Sequence, residues 1–214
     1  MKFNIVVENI IRDIKPTNNG RAVFTFGRMN PPTLGHEKLI SKVIEIARAE
    51  HRESFIILSR SNDPKKNPIS YNNKLTALDK ALPKINFIDD ESIISIFDAV
   101  KYLVGKGYTD LVLVCGSDRV ANYTSLFEPY KDHPDLEKRL GYTSLRVESA
   151  GERDPDSDDV SGISGTKARE YVLNNDFVNF RKILPTGMPD DQAQILFNDI
   201  KQNYKPAIPR KKKP

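Results

Sequence analysis

Residues 24–36 read FTFGRMNPPTLGH, and this stretch predicts a strand, a tight turn and the start of a helix. The first residues are apolar and β-prone, the middle contains Gly, Asn and two Pro residues, and an amphipathic segment starts near Gly35. Backbone N–H groups and the positive end of a helix dipole converge at such a turn, which favours an anion. Arg28 and His36 add two side-chain donors beside it. The stretch therefore predicts a phosphate-binding turn.

Downstream of this turn, short apolar or alternating segments are separated by amphipathic ones. They predict strands at 22–26, 54–59, 85–88, 111–115 and 144–149. Amphipathic patterns predict helices from near Gly35, after a Ser70 cap, after an Asp90 or Ser92 cap, at 118–126, through about 174, at 177–183 and at 190–204. This alternation is typical of an α/β protein with a Rossmann-like, doubly wound, parallel five-stranded sheet, helices on both faces and a C-terminal helical appendage.

The 214 residues divide into four predicted regions around one core. Residues 1–20 form an N-terminal extension, 21–175 the core, 176–204 the C-terminal helices and 205–214 a basic disordered tail. A polar, acidic stretch at 152–159 interrupts the core as a predicted loop, and solvation of its charges is its simplest role.

The formal net charge of +4 comes from the C-terminal end of the chain. Residues 201–214 carry six of the 33 basic residues and no acidic one, so the rest has 27 basic residues against 29 acidic ones. The composition thus argues against a basic nucleic-acid-binding domain and leaves only weak contact through the tail.

The single cysteine, Cys115, excludes an internal disulfide framework and fits a reducing compartment. The first residues lack a sustained apolar segment, and no stretch has the length of a membrane span. These features predict a cytoplasmic protein in which Cys115 is a small buried residue at a strand end.

Three polar segments follow predicted strands and should meet at one edge of the sheet. They are residues 27–36, 116–119 and 161–169. Ligands of open parallel sheets bind outside the carboxyl ends of the strands, so these segments predict the binding site. Each also has a purely structural interpretation, because Ser, Thr, Asp or His at these positions can cap a helix.

The segment GRMNPPTLGH at 27–36 resembles the (H/T)xGH signature of the nucleotidylyltransferase superfamily, and ISGTKAR at 163–169 resembles its second, ISSTxxR-type signature. The resemblance covers roughly 21–175. It implies transfer of a nucleoside monophosphate from a nucleoside triphosphate to a phosphorylated acceptor, with release of pyrophosphate. Thr33 stands where many members carry a first histidine, and Gly165 stands in place of the usual second serine.

The resemblance also implies roles for individual residues. His36 would donate to the α-phosphate, and Arg169 would bind the β- and γ-phosphates with Ser164 and Thr166. The other nucleotide-binding residues implied by it are Gly27, Arg28, Met29, Asn30, Thr33, Gly35, Gly116, Asp118 and Lys167. Mg²⁺ would be held mainly by the phosphates, since the sequence contains no cluster with metal-ligand spacing.

The acceptor is the least constrained part of this hypothesis. Adenylyl transfer from ATP to nicotinamide mononucleotide, in NAD biosynthesis, is favoured by the Asn-Pro-Pro-Thr turn. Residues 67–74 also faintly resemble a segment of archaeal-type nicotinamide mononucleotide adenylyltransferases, with Lys74 where those enzymes carry arginine. Cytidylyl transfer to a polyol or sugar phosphate is the alternative, and a non-catalytic nucleotide-binding module is the alternative of another class.

Overall fold

Five parallel strands form the centre of the molecule in the computed structural model, which describes residues 19–151 and 165–206. The predictions for the N-terminal extension up to residue 18, the acidic loop 152–159, Ser164 and the tail from residue 207 lie outside the described residues. The strands are β1 Arg21–Gly27, β2 Glu53–Leu58, β3 Phe87–Ile88, β4 Asp110–Cys115 and β5 Ser144–Ser149.

Seven α-helices surround the sheet in the described part of the chain. They are α1 Leu34–Glu50, α2 Tyr71–Ala81, α3 Ile96–Gly105, α4 Val120–Phe127, α5 Gly165–Leu173, α6 Phe177–Lys182 and α7 Asp190–Asn203. Short 3₁₀ turns at Ser117–Arg119 and Glu128–Tyr130 flank α4. None of these helices is long and apolar enough to cross a membrane.

The strand order β3-β2-β1-β4-β5 confirms the predicted Rossmann-like, doubly wound sheet. β1 pairs with β2 on one side and with β4 on the other, so the direction of winding changes between β1 and β4. Separate apolar clusters cover the two faces: α1, α2 and the C-terminal helices pack on one, and α3 and α4 on the other. The carboxyl ends of β1 and β4 therefore lie side by side, where a ligand is expected.

The start of α3 differs from the sequence prediction. Ser95, rather than Asp90 or Ser92, is its N-cap, and Ser95 and Asp98 form a reciprocal capping box. The Asp90 carboxylate instead accepts hydrogen bonds from the backbone and hydroxyl of Ser92 in a preceding turn. Ser70 caps α2 as predicted, by accepting from the backbone N–H of Asn73 at 3.2 Å.

The third strand is shorter than predicted, because its pairing with β2 is limited to two residues. Phe87 and Ile88 pair with Ile56 and Ile57, whereas the predicted strand covered 85–88. Ile85 is buried in the core without joining the ladder. The apolar pattern at 85–88 therefore predicted the burial of Ile85 correctly, but it did not predict which residues pair with the neighbouring strand.

A network of charges closes the amino-terminal edge of the sheet, opposite the cleft. Arg52, whose side chain is 2% exposed, donates to Glu50 at 2.7 Å and to Asp110 at 3.1 Å. Arg21 also binds Asp110, and Arg146 also binds Glu50. Burial alone would raise the pKa of Asp110, but hydrogen bonds from Ser144 and from the two arginines outweigh it and lower that pKa.

We expect Asp110→Asn to reduce the free energy of unfolding by ~1–3 kcal/mol at pH 7, because the nearly buried guanidinium of Arg52 loses one of its two charged partners. A carboxylate with a lowered folded-state pKa stabilises the protein above its unfolded-state pKa, about 4, and this stabilisation is lost as the pH falls through the folded-state pKa. Denaturant unfolding of both proteins should therefore show a difference at pH 7 that shrinks toward pH 3.

Asp135→Asn is the matched control, since Asp135 forms an exposed pair with Lys138 at 3.3 Å. That change should cost ~0.5 kcal/mol or less. Equal losses for the two variants at pH 7 would contradict the assigned role of the Arg52 network.

Candidate active site

A cleft of about 630 Å³ opens at the carboxyl ends of β1, β2, β4 and β5, where the sequence predicted a binding site. The N-terminal turns of α1 and α5 line it as well. Of the predicted site residues, eleven line this cleft: Gly27, Arg28, Met29, Asn30, Thr33, Gly35, His36, Gly116, Asp118, Thr166 and Arg169. Lys167 is half-buried and does not line the described cleft, and Ser164 lies outside the described residues.

Lys74 holds the loop between β1 and α1 from the buried side of that loop. Its ammonium group donates to the carbonyl oxygens of Arg28, at 2.7 Å, and Ser59, at 2.8 Å, so it ties the end of β1 to the end of β2. The side chain is 1% exposed, and burial, with repulsion from Arg60, lowers its pKa to about 8. Lys74 therefore supports the loop and does not line the cleft. The faint resemblance at 67–74 had suggested a phosphate-binding cation at this position.

Asn30 provides a second attachment of the same loop. Its side-chain amide donates to the carbonyl oxygen of Ile69 at 2.8 Å and accepts from the Ile69 N–H at 3.1 Å. Both functional groups of the amide are thus used within the protein. Asn30 lines the cleft, but its side chain acts as a clamp between two loops.

Arg169 joins α5 to this loop from the other side. Its Nη1 donates to the carbonyl oxygens of Asn30, at 3.0 Å, and Lys66, at 3.2 Å, and its Nη2 donates to the hydroxyl of Thr166 at 3.2 Å. The residue is 8% exposed, and its buried Nε–H has no hydrogen-bond partner among the described residues. Among the described residues no carboxylate lies within ion-pair distance of Arg169, and this residue adds a positive charge to the described lining of the cleft.

The ring of His36 is oriented by the N-cap of α1. The Thr33 N–H donates to Nδ1 of His36 at 3.0 Å, and the Thr33 hydroxyl lies 2.9 Å from the same nitrogen. A backbone N–H can only donate, so Nδ1 must accept, and the hydrogen-bond pattern assigns the ring proton to Nε2. His36 lines the cleft, and in this tautomer its ring N–H is at Nε2.

The turn after β4 contributes the opposite wall. A Cβ at Gly116 would lie 2.7 Å from a carboxylate oxygen of Asp118, so glycine allows this carboxylate to fold back over the strand end. Arg119 and Tyr123 line the same wall, with a 3.4 Å hydrogen bond between them. Cys115 is buried as predicted, and burial, with the nearby Asp118, raises the pKa of its thiol to about 11.

The geometry and a comparison with protein families point to the same class of protein. The family model described as cytidylyltransferase-like matches residues 24–171, which is more than half of the chain. The chain belongs to the cytidylyltransferase-like family. It is accordingly a nucleotidyltransferase in the general sense. No curated protein matched the sequence.

The described lining of the cleft in this cytidylyltransferase-like protein carries more positive than negative charge. Its described lining has one carboxylate, from Asp118, and five basic side chains, from Arg28, Lys38, Lys66, Arg119 and Arg169. A cleft lined by one sign of charge attracts ligands of the opposite sign and concentrates them. The family and the electrostatics therefore agree on an anionic ligand.

The β2 side of the cleft was not predicted from the sequence. Ser59, Ser61, Lys66 and Asn67 line it, and the hydroxyls of Ser59 and Ser61 lie 2.8 Å apart. The side-chain amide of Asn67 donates to Ser61 at 2.9 Å. The available signal was position: Ser59 ends a predicted buried strand, and Ser61, Lys66 and Asn67 lie in the loop that follows it. Of these four residues, only Asn67 belonged to a segment with a family resemblance, as the first residue of 67–74.

Gly165 permits the close approach of α5 to the loop after β1. A Cβ at this position would lie 3.2 Å from both the Asn30 carbonyl oxygen and Nη1 of Arg169. We expect Gly165→Ala to lower the free energy of unfolding by ~1–3 kcal/mol, because these groups must separate. Urea unfolding monitored by circular dichroism measures the difference.

Gly105→Ala is the matched control. Gly105 is the last residue of α3, and a Cβ there meets no atom within 4 Å. That change should leave stability unchanged or raise it by up to ~1 kcal/mol through the unfolded state. A similar rise for Gly165→Ala would show that the approach of α5 is not tight.

Proposed function

We propose that the protein transfers a nucleoside monophosphate from a nucleoside triphosphate to a phosphorylated acceptor and releases pyrophosphate. The observation that carries the proposal is that the first turns of two helices, α1 and α5, line one cleft. A helix N-terminus favours an anion, and two of them facing one cleft suit a chain of phosphates. His36 lies in the first of these turns, and Thr166 lies in the second.

The reaction needs little covalent chemistry from the protein. An acceptor phosphate oxygen attacks the α-phosphorus, the bond to the α–β bridging oxygen breaks, and pyrophosphate leaves with that electron pair. The attacking oxygen is already anionic, so no proton has to be removed from it. Catalysis then consists of positioning and of stabilising the negative charge that develops on the phosphates.

His36 is suited to stabilise the reacting α-phosphate. Its Nδ1 accepts from Thr33, so a hydrogen bond from the ring to a non-bridging phosphate oxygen would come from the Nε2–H. A preorganised donor of this kind contributes most where the charge develops, because it needs no reorientation during the reaction.

Arg169 would act on the far phosphates mainly through its charge. Three of its five N–H groups already bind Asn30, Lys66 and Thr166, and the Nε–H is buried. One Nη2 N–H is left for a ligand in the described structure. Direct binding of the β- and γ-phosphates would therefore fall to the first turn of α5 and to exposed cations such as Lys66.

The cleft fits a magnesium ion that the triphosphate carries. Its described lining offers one carboxylate, Asp118, and no group of three or more His, Cys, Asp or Glu side chains in the described residues could hold a metal. Mg²⁺ commonly binds through one or two carboxylates together with substrate phosphates. The bound ion would neutralise phosphate charge, while the protein's own residues orient the substrates.

For the acceptor, we propose nicotinamide mononucleotide with ATP as donor, and thus a place in NAD biosynthesis. The basis is the Asn-Pro-Pro-Thr turn, together with two aromatic rings in the cleft lining, Phe26 and Tyr123, on which planar groups can stack. A cytoplasmic location is part of this proposal.

A cytidylyl transfer to a polyol or sugar phosphate is the second candidate. The observation in its favour is the β2 side of the cleft, where Ser59, Ser61, Lys66 and Asn67 provide hydroxyl, ammonium and amide groups. This set suits a hydroxylated phosphate ester better than a planar ring.

Pyrophosphate release decides between these candidates. The protein is mixed with Mg²⁺, each nucleoside triphosphate in turn, and nicotinamide mononucleotide or a series of polyol and sugar phosphates. Turnover with ATP and nicotinamide mononucleotide supports the first candidate, and turnover with CTP and a polyol phosphate supports the second. Nucleotide binding without turnover for any pair would favour a non-catalytic nucleotide-binding module.

We expect His36→Ala to reduce kcat by ~10²-fold or more while nucleotide affinity changes little, because the donor acts on the transition state. His36→Asn separates the two roles of the ring, since its amide can still accept from Thr33 but lacks the Nε2–H. It should lose kcat to a similar degree and keep the thermal stability of the wild type. Steady-state kinetics and nucleotide titration measure both effects.

His133→Gln is the control, because this histidine stacks on Tyr130 and does not line the cleft. Its kcat should match that of the wild type. If His36→Ala instead lost nucleotide affinity by about 10²-fold and kept the kcat of the wild type, the assigned role would be refuted.

A further inference from the structure

We infer that Glu37 and Thr186 form a positioning pair that fixes the first turn of α1 and, through it, the orientation of His36. Thr186 lies in the segment between α6 and α7, beyond the residues that the family model matches. The catalytic consequence of this inference rests on the proposed function, whereas the structural consequence does not.

The contacts join the two segments directly. The backbone N–H of Thr186 donates to Oε2 of Glu37 at 2.9 Å, and its hydroxyl donates to the same oxygen at 3.1 Å. Three residues earlier, the carbonyl oxygen of Ile183 accepts from the backbone N–H of Leu34 at 2.9 Å. The residue on each side of the Gly35–His36 dipeptide is therefore held by residues 183–186.

The burial of Glu37 is the second observation behind this inference. The residue is 4% exposed, its Oε1 has no hydrogen-bond partner among the described residues, and burial raises the pKa of its carboxyl group despite the two bonds from Thr186. A buried carboxylate without a cation beside it is costly, and the described part of the chain shows no ion pair for Glu37. The helix N-terminus offsets part of that cost, but an apolar residue would avoid it entirely.

The segment that holds Glu37 is itself rigidly packed. Phe177 and Phe180 of α6 each contact Phe197 of α7 edge-to-face, with ring centroids 5.3 Å apart. Arg181 closes the intervening segment by donating to the carbonyl oxygen of Met188 at 2.6 Å. Residues 183–186 thus offer a fixed point against which α1 can be set.

The first turn of α1 determines what His36 can do. Nδ1 of His36 accepts from the N-cap residue, so the direction of the Nε2–H follows the geometry of this turn. Small displacements of a catalytic group cost large factors in rate, about 10²-fold for 1 Å. A pair that fixes the turn is therefore a positioning device for the reaction.

Thr186→Val tests the pair, because it removes the hydroxyl donor at an exposed position and keeps nearly the same shape. Thr186→Ser restores the donor. Thr143→Val is the matched control, since the exposed Thr143 also donates its hydroxyl to a carbonyl oxygen, that of Thr109, but at the amino-terminal edge of the sheet.

Two measurements are made on the full chain. The first is nitrogen–proton correlation NMR of the imidazoles, which is simple here because the chain has three histidines and His36→Asn identifies one of them. The second is steady-state kinetics with the substrate pair found active. We expect Thr186→Val to shift the His36 ring resonances and to lower kcat about 10-fold with KM for the nucleotide unchanged, while Thr186→Ser stays within about twofold of the wild type.

Unshifted His36 resonances in Thr186→Val would overturn the inference, as would a loss of kcat that Thr143→Val shares. A shift of the resonances without any change in kcat would overturn the positioning role in catalysis. If the wild-type protein turns over no substrate pair, the proposed function fails, and the NMR comparison alone then decides whether Thr186 orients His36.

Discussion

Two buried cations, Lys74 and Arg169, hold the loop between β1 and α1 by its carbonyl oxygens, and the shape of the cleft depends on them. Hydrogen bonds to charged donors are stronger than those between neutral groups. They also carry a cost, because neither cation has a carboxylate partner in the described part of the chain. The lowered pKa of Lys74 reflects this cost. Anionic phosphates in the cleft would supply the missing negative charge, so ligand binding and loop stability are expected to be coupled.

The same arrangement accounts for glycine at position 165, where the signature that residues 163–169 resemble has a second serine. Arg169 reaches across to the Asn30 carbonyl oxygen, and the backbone at Gly165 lies against both. A serine side chain at that position would occupy the space that the contact requires. Glycine lacks the hydroxyl donor that a serine would provide at this position. Its small size allows the guanidinium of Arg169 to bind the carbonyl oxygen of Asn30 in the loop between β1 and α1.

The fold was largely readable from the sequence because short buried strands and amphipathic helices alternate with few exceptions. The motifs at strand ends also pointed to the edge of the sheet where the cleft lies. Two predictions failed for different reasons. Of the caps Asp90, Ser92 and Ser95, only Ser95 is followed three residues later by an acidic residue, Asp98, so the sequence did contain the capping-box pattern that identifies the start of α3. Lys74 had the right charge for a phosphate ligand, but its burial beneath the loop depends on tertiary packing, which no local pattern reveals.

Thr33 determines the tautomer and the orientation of His36. Where a second imidazole would add charge, threonine supplies the N-cap of α1 and a donor to Nδ1 of His36. The proposed reaction would then rely on one ring in one tautomer, and the direction of its N–H depends on a single helical turn. Precision in that turn must come from outside it, because a helix terminus is the least constrained part of a helix. The contacts of Leu34 and Glu37 with residues 183–186 supply this constraint, which makes the C-terminal helices part of the candidate site.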